Sequence, residues 1–367
     1  MSKDTIKLSD VLIPQPKSKI KAGEGKNTGK YKFFTSSNSQ NKFVDEYQYD
    51  EPALIFGTGG NASIHFCEEK FATSTDCLVF FAEEKQLLKS IYLYLSGNMW
   101  TLENGFKGAG LKHISKQYIL NISFSLPEID EQCKIAAVLD KVSGLIAKRR
   151  QQLDKLDEMV KARFVEMFGD VIRNSKAWQM RVFEDVAASR LGKMLDAKQQ
   201  TGKYSYPYLA NFNVQWFRFN IENLNQMDFD EDERAEFELK DGDLLVCEGG
   251  EIGRCAVWHN EIQPCFFQKA LHRVRCNRQI IHPDYLAWWF KYNCDHDGFT
   301  AIAGSKATIA HLPGIKLKQL QVAVPPIELQ EQFATFVAQT DKSKLAIQKS
   351  LDKLEILKKA LMQKYFR

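Results

Sequence analysis

Two histidines, His113 and His311, stand 198 residues apart in matching surroundings, and histidine is the first side chain to test for acid–base or metal work. Neither has a cysteine or carboxylate at a fixed spacing beside it, so a ligand or general-base role lacks its second member. A structural hydrogen bond, or one to a nucleic-acid backbone, is the more economical role. Phe56-Gly57-Thr58-Gly59-Gly60 has the glycine density of a phosphate cradle, but its register fits no nucleotide fingerprint. The chain has no Asn-Pro-Pro-aromatic or Asp-Pro-Pro-aromatic run of the kind that holds a flipped adenine for methylation. Asp230 with Glu238-Leu239-Lys240 can be forced into a metal-nuclease pattern, yet the run from Asp228 to Glu238 reads more simply as solvated acidic surface. The eight cysteines contain no CxxC pair, which excludes zinc spacing and favours reduced, mostly buried thiols.

What remains is the chemistry of binding. Thr28-Gly29-Lys30-Tyr31 recurs identically as Thr201-Gly202-Lys203-Tyr204. A turn that exposes backbone N–H groups beside a cation suits a phosphate, and a purely structural turn explains the repeat equally well. Beyond these lie Thr35-Ser36-Ser37-Asn38 and Ala210-Asn211-Phe212-Asn213, polar tetrads that differ at equivalent positions. Loops reading two different targets would look like this, and so would solvated loops. Lys107 and Lys112 precede His113, Lys306 precedes His311, and Arg254 follows Gly249-Gly250; Lys306 and Arg254 are expected on phosphates. The candidate contacts are therefore Lys30, Tyr31, Ser36, Asn38, Lys107, Lys112 and His113 in one half, and Lys203, Tyr204, Asn211, Asn213, Arg254, Lys306 and His311 in the other. A formal net charge of +4 permits nucleic acid as a partner without demanding it.

The elements that must hold these residues come in duplicate. His113–Pro127 aligns with His311–Pro325 without a gap, and Leu153-Asp154-Lys155-Leu156 returns as Leu351-Asp352-Lys353-Leu354. Upstream the offset is smaller, 173 residues at Thr28 and Thr201, then 190 at Ala53 and Asp243. The second copy thus carries about 17 and then 8 extra residues, expected in loops, where added length is tolerated. Within each copy short strand-like runs such as Leu78–Phe81, Leu244–Cys247 and Ala256–Trp258 alternate with turn residues. One helix per copy is predicted near Lys85–Ser96 and Pro283–Tyr292, giving α+β domains. Gly59-Gly60 and Gly249-Gly250 are expected to be turns with positive φ.

After each Pro the period changes to that of a helix. Ile135, Leu139, Val142, Ile146, Leu153, Leu156 and Val160 follow alternating steps of four and three, with Arg149 occupying one step and Met167 a whole heptad further on, and Ile347, Leu351, Leu354, Leu361 and Tyr365 do the same, with Lys358 at one step. Glu131–Phe168 would be roughly 57 Å long at about 1.5 Å per residue, too long for one domain face to cover its apolar stripe. The other helix, packed antiparallel, is the natural cover; two helices each packed on its own domain is the alternative.

Gly108–His113 or Gly304–His311, an apolar strand, Leu126-Pro127 or Val324-Pro325-Pro326, Glu131-Gln132 or Glu331-Gln332 and a heptad helix together resemble the specificity subunit of type I restriction–modification systems. Gly242-Asp243-Leu244-Leu245-Val246 followed by Gly249-Gly250-Glu251-Ile252-Gly253 resembles that family's mid-domain strand and turn, while the first copy lacks a counterpart of Trp178. The resemblance covers essentially the whole chain. It implies two tandem target-recognition domains, 1–126 and 171–325, and two helical spacers, 127–170 and 326–367, forming an antiparallel coiled coil with a pseudo-two-fold internal repeat. It further implies a non-catalytic reader of double-stranded DNA, each domain taking one half of a bipartite target while the helices set the spacing. Two methyltransferase subunits, and through them restriction endonuclease subunits, would dock on it. No cofactor would be bound by this chain; S-adenosylmethionine, ATP and Mg are expected on the partners. Without a signal-peptide core or a run long enough to span a bilayer, the chain is expected to be cytoplasmic, with no membrane partner. The rivals are a helical adaptor that reads no DNA and an enzyme with its own cleavage site.

Overall fold

A computed structural model describes residues 5–125, 129–196, 200–299 and 311–366, so Leu126, Pro127, Gly304 and Lys306 lie outside the described residues. Two compact units are present, one made of Met1–Gln151 with Ile347–Arg367, the other of Gln152–Ala346.

In the first unit a four-stranded antiparallel sheet has the order Ile13–Pro14, Cys77–Phe81, Ala53–Gly57, Ser63–Cys67. A three-stranded sheet has Tyr31–Phe34 at its centre, antiparallel to Lys42–Val44 and parallel to Phe71–Thr73. Alternation along the strands explains the layering. Leu54 and Phe56 face the helix Lys85–Gly97 through Leu88, Ile91 and Leu95, whereas Ala53 and Ile55 join Phe34, Phe71 and Val79 on the other side. Because both faces are covered, these strands read as continuous apolar runs.

The second unit repeats the plan with different residues. Its four-stranded sheet has the order Ala187–Leu191, Leu271–Cys276, Leu244–Cys247, Cys255–Val257, and its three-stranded sheet centres on Ser205–Leu209, between Asn225–Asp228 and a parallel Phe266–Phe267. Leu244 and Val246 pack with the helix Pro283–Asp295, and Leu245 and Cys247 pack with Tyr208, Phe229 and Phe267. Pro283 in that helix's first turn has no N–H to leave unsatisfied.

The extra length of the second copy is not all loop. Between Leu209 and Leu244 it forms a hairpin, Val214–Gln215 with Arg218–Phe219, and a helix, Glu231–Phe237. Asp230 caps the helix by accepting from the Glu233 N–H at 2.9 Å while Glu233 accepts from the Asp230 N–H at 3.0 Å, and Phe237 is buried. Phe217, at φ 60°, stacks on Trp288 with ring centroids 4.4 Å apart. Apolar anchors turned the added residues into structure.

Two helices of 40 residues, Ile129–Phe168 and Ile327–Phe366, follow the two repeats. Of the eight apolar stripe positions predicted for the first, six are buried and two, Leu153 and Leu156, are half-buried. In the second the stripe extends further upstream than the leucines suggest, through Gln330, Phe333, Val337, Thr340 and Lys344 to Ile347 and beyond, in steps of three and four. Within the first unit Ile135 and Leu139 cluster with Met362, and Arg150 pairs with Glu355 at 2.7 Å. Within the second, Phe164 meets Phe333 at 5.5 Å and Lys344 pairs with Asp157 at 2.6 Å. In both units rising residue numbers on one helix meet falling numbers on the other. The second boundary is anchored by a residue outside the Glu-Gln motif. Glu331 and Gln332 are exposed, whereas buried Gln330 donates to the Pro325 and Ile280 carbonyls at 2.7 and 3.1 Å and accepts from the His282 N–H at 2.8 Å.

Among the described residues no helix is long and apolar enough to cross a membrane. Cys67, Cys77, Cys247, Cys255 and Cys265 are free and buried, and burial pushes the Cys77 and Cys247 thiols up to about 11. They act as small apolar side chains rather than as nucleophiles.

Candidate nucleic-acid interface

In each unit the histidine of the repeat lies beside the first glycine of the Gly-Gly turn. Gly59 bridges antiparallel to His113, and Gly249 bridges antiparallel to His311. Gly60 and Gly250 take φ of 82° and 78°, the left-handed turn expected of them. A side chain at Gly59 would stand 3.2 Å from the His113 ring, so glycine is also what lets the histidine close in.

The first unit's site is built around this turn. His113 Nδ1 is 3.1 Å from the Thr58 carbonyl, and the Ile114 N–H donates to the same oxygen at 3.1 Å. Ser36 belongs here too: its hydroxyl donates to the Asp76 carbonyl at 2.7 Å and accepts from the Gly59 N–H at 3.4 Å. Lys107 and His113 exchange backbone hydrogen bonds of 2.9 and 3.0 Å, closing a short arm on which Lys107, Lys112 and His113 are all exposed. Asn38 is exposed on the neighbouring loop. Lys30 and Tyr31 are placed elsewhere, lining a separate hollow with Lys32, Phe43, Glu69 and Lys70.

In the second unit several polar residues predicted to face a ligand face inward. Asn211 donates to the Gly249 carbonyl at 2.7 Å, so it occupies the place that Ser36 has in the first unit. Arg254 is not a free cation for phosphate. Its guanidinium donates to Asn211 Oδ1 at 2.6 Å, to the Asn211 carbonyl at 3.1 Å and to Glu251 at 3.3 Å. Asn213 is buried, accepting from the Ala210 N–H at 2.9 Å and donating to the Asn220 carbonyl at 2.9 Å, which makes it the lock of its own loop. Exposure on that loop falls to Phe212, between the two asparagines. His311 is exposed, and the N–H that follows it, that of Leu312, donates to the Glu248 carbonyl at 2.6 Å.

The Thr-Gly-Lys-Tyr turn of this unit is already occupied by an anion of the protein itself. Asp228, 7% exposed, accepts from the Thr201 N–H at 2.5 Å, the Thr201 hydroxyl at 2.7 Å and the Gly202 N–H at 2.8 Å. Asp228 is therefore not solvated acidic surface, and the N–H groups expected to receive phosphate are spent on it. Lys203 and Tyr204 stay exposed on the rim. The Thr201 hydroxyl first, and the backbone donors after it, hold the Asp228 carboxyl below the usual carboxylate range. A carboxyl depressed by folding adds stability above its unfolded pKa and loses it as pH falls through the folded value. Replacing Asp228 by Asn is thus expected to lower the melting temperature at pH 7, with the gap to wild type closing as both are melted at progressively more acid pH. A gap that stays constant down to pH 3 would show that the charge does not hold the turn.

Asp230 is a helix cap and Glu238 gives its carbonyl to Arg275, so the nuclease-like pattern is not assembled. Among the described residues no three His, Cys, Asp or Glu side chains gather to hold a metal ion. A hollow of the second unit that no sequence motif announces is lined by Arg190, Lys193, Lys269, His272, Ile315 and Lys318. Lys193 is paired with Glu233 at 2.5 Å and Arg190 with Glu236, while Lys269 and Lys318 point to solvent. Buried His272 puts Nε2 2.9 Å from the Leu312 carbonyl, and burial lowers its pKa. These residues are spread between 190 and 318, so only the fold brings them together.

The chain as a whole is similar to known proteins in sequence and in fold. The chain is similar to the EcoDI type I restriction enzyme specificity subunit of Escherichia coli, 28% identical over 159 residues, which is 43% of this chain and 35% of that protein. It is also similar to the MjaVIII type I restriction enzyme specificity subunit of Methanocaldococcus jannaschii, 26% identical over 157 residues, 41% of this chain and 36% of that one. The matched stretches thus span little more than a third of these relatives. In fold it resembles the crystal structure of the type I restriction–modification S subunit from M. genitalium, with a TM-score of 0.60 at 14% identity, over 99% of this chain and 96% of that one. Residues 2–157 and 175–357 match the family model of the type I restriction modification DNA specificity domain, and the chain belongs to that family.

Proposed function

We propose that this chain is the non-catalytic DNA-specificity subunit of a type I restriction–modification complex, each of its two domains reading one half of a bipartite duplex target. The observation that carries the reading is the duplicated frame: Gly59 against His113 and Gly249 against His311, held alike and surrounded by different residues. A constant frame with variable loops suits two readers of different sequences. In this reading the domains are 1–126 and 171–325, and the helices of 127–170 and 326–367 form an antiparallel coiled coil, related by a pseudo-two-fold axis, that fixes the spacer. The opposed contacts Arg150–Glu355 and Asp157–Lys344 support it.

Methyltransferase subunits would dock on apolar positions the heptad stripe leaves exposed. Val138 and Leu145 are such a pair in the first unit, and Met159 and Val165 are such residues in the second. Endonuclease subunits would join through them, and S-adenosylmethionine, ATP and Mg would belong to those partners. The test is methylation mapping of a genome with and without this gene, expressed with its methyltransferase subunit. Adenine methylation at one bipartite sequence, present only with the gene, is expected. Methylation without sequence dependence would end the specificity reading and leave an adaptor.

A further inference from the structure

The arm closed by Lys107 and His113 carries a largely exposed apolar side chain near its tip. Leu111 is 72% exposed, on a loop with Gly108 at φ 144° and Gly110 in open space. A side chain at Gly108 would come within 2.9 Å of the Leu111 carbonyl, so the loop's tight path depends on that glycine. The arm is nonetheless fixed. Besides the two bonds between Lys107 and His113, the Gly60 N–H donates to the Lys112 carbonyl at 3.2 Å, tying the tip to the Gly-Gly turn. Leu111 Cδ2 lies over Gly59, 3.7 Å from where a β-carbon would be. The aliphatic tip is thus held by backbone hydrogen bonds in an arm that also carries two exposed lysines, Lys107 and Lys112.

The second unit offers a matching feature at another point of its frame. Phe212 is 57% exposed, although both neighbours are pinned, Asn211 to Gly249 and Asn213 to Asn220.

We infer that Leu111, and Phe212 in the second unit, are wedges that enter the DNA between stacked base pairs within the half-site their own domain reads. This rests on the DNA-reading function proposed above and adds to it how the duplex is deformed. Charge selects the occupant: Lys107 and Lys112 flank Leu111 and would lie on phosphates to either side of the opened step. An inserted aliphatic or aromatic side chain replaces part of the lost stacking and kinks the duplex, and steps that unstack readily are favoured. Part of the specificity would then come from deformability rather than from base-edge hydrogen bonds.

The test uses the full chain assembled with its methyltransferase subunits, and duplexes carrying 2-aminopurine at successive steps of each half-site, away from the methylated adenine. Wild type should raise the fluorescence at one step of the first half-site. Leu111→Ala should abolish that rise and weaken binding about ten-fold. Leu111→Met should keep both, and Phe212→Ala should act only on the other half-site. Salt dependence separates tip from flanks: Lys107→Gln should lower the slope of log K against log salt by about one, and Leu111→Ala should leave it unchanged. The wedge is overturned if the Leu111→Ala complex gives the same fluorescence rise as wild type, or if wild type unstacks no step. A Leu111→Ala chain that loses its methyltransferase subunits on gel filtration without DNA would overturn it as well, making Leu111 a protein contact. A wild-type complex that methylates normally at its bipartite site while failing these readings would sink the wedge alone and leave the specificity function standing.

Discussion

Deleting one heptad from the middle of each long helix is expected to abolish methylation of the original target and create a new target. The half-sites of the new target should be unchanged and its spacer about three base pairs shorter. Seven residues at about 1.5 Å each remove about 10 Å of helix, close to three base-pair steps of about 3.4 Å. A whole heptad keeps the apolar stripe in register, so the contacts typified by Ile135, Leu139 and Met362 at one end and by Phe164 and Phe333 at the other persist. Methylation mapping reads half-sites and spacer together. Altered half-sites at an unaltered spacing would mean that the helices do not measure distance.

Phe164→Ala is the second change with a large expected effect, a loss of about 3–5 kcal/mol of stability, the range for truncating a buried phenylalanine. Phe164 is 1% exposed and packs against Phe168, Tyr285, Tyr292, Trp288 and Phe333, so it joins both long helices to the domain core of the second unit. With three elements fixed around it, the cavity has little freedom to collapse. Calorimetry should place the melting temperature lower by on the order of ten degrees. Val165→Ala, one position on and 45% exposed, should change stability by less than about 0.5 kcal/mol. Similar melting for the two variants would mean that the helix is not held through Phe164.

Features that depend on short-range periodicity are legible in the amino-acid sequence. The 3/4 stripe of the long helices, the two-faced strands around Leu54 and Leu245 and the paired Gly-Gly turns are each specified by residues within a few positions of one another. The drifting offset places the insertions of the second copy correctly but does not reveal that they are structured. Asp230 and Glu233 stand in an acidic run, where a capping pair looks the same as solvated charge. Gln330 is likewise hidden beside the repeated Glu331-Gln332, since sequence alone does not tell which polar residue at a helix start turns inward.

The candidate site divides in the same way. Repetition locates its frame, with His113 and His311 beside their glycines. The roles of individual polar side chains depend on partners far along the chain. Arg254 is turned to Asn211, 43 residues away, and Asp228 to Thr201, 27 away. A buried donor or acceptor takes whichever complementary group the fold brings within about 3 Å, and sequence distance carries no information about that. Hence the chain's composition and spacing determined a repeated domain plan and two long helices, through local propensity and hydrophobic period. Only the tertiary structure decided which polar residues are spent inside the protein, and which apolar side chains, Leu111 and Phe212 among them, are left exposed to solvent.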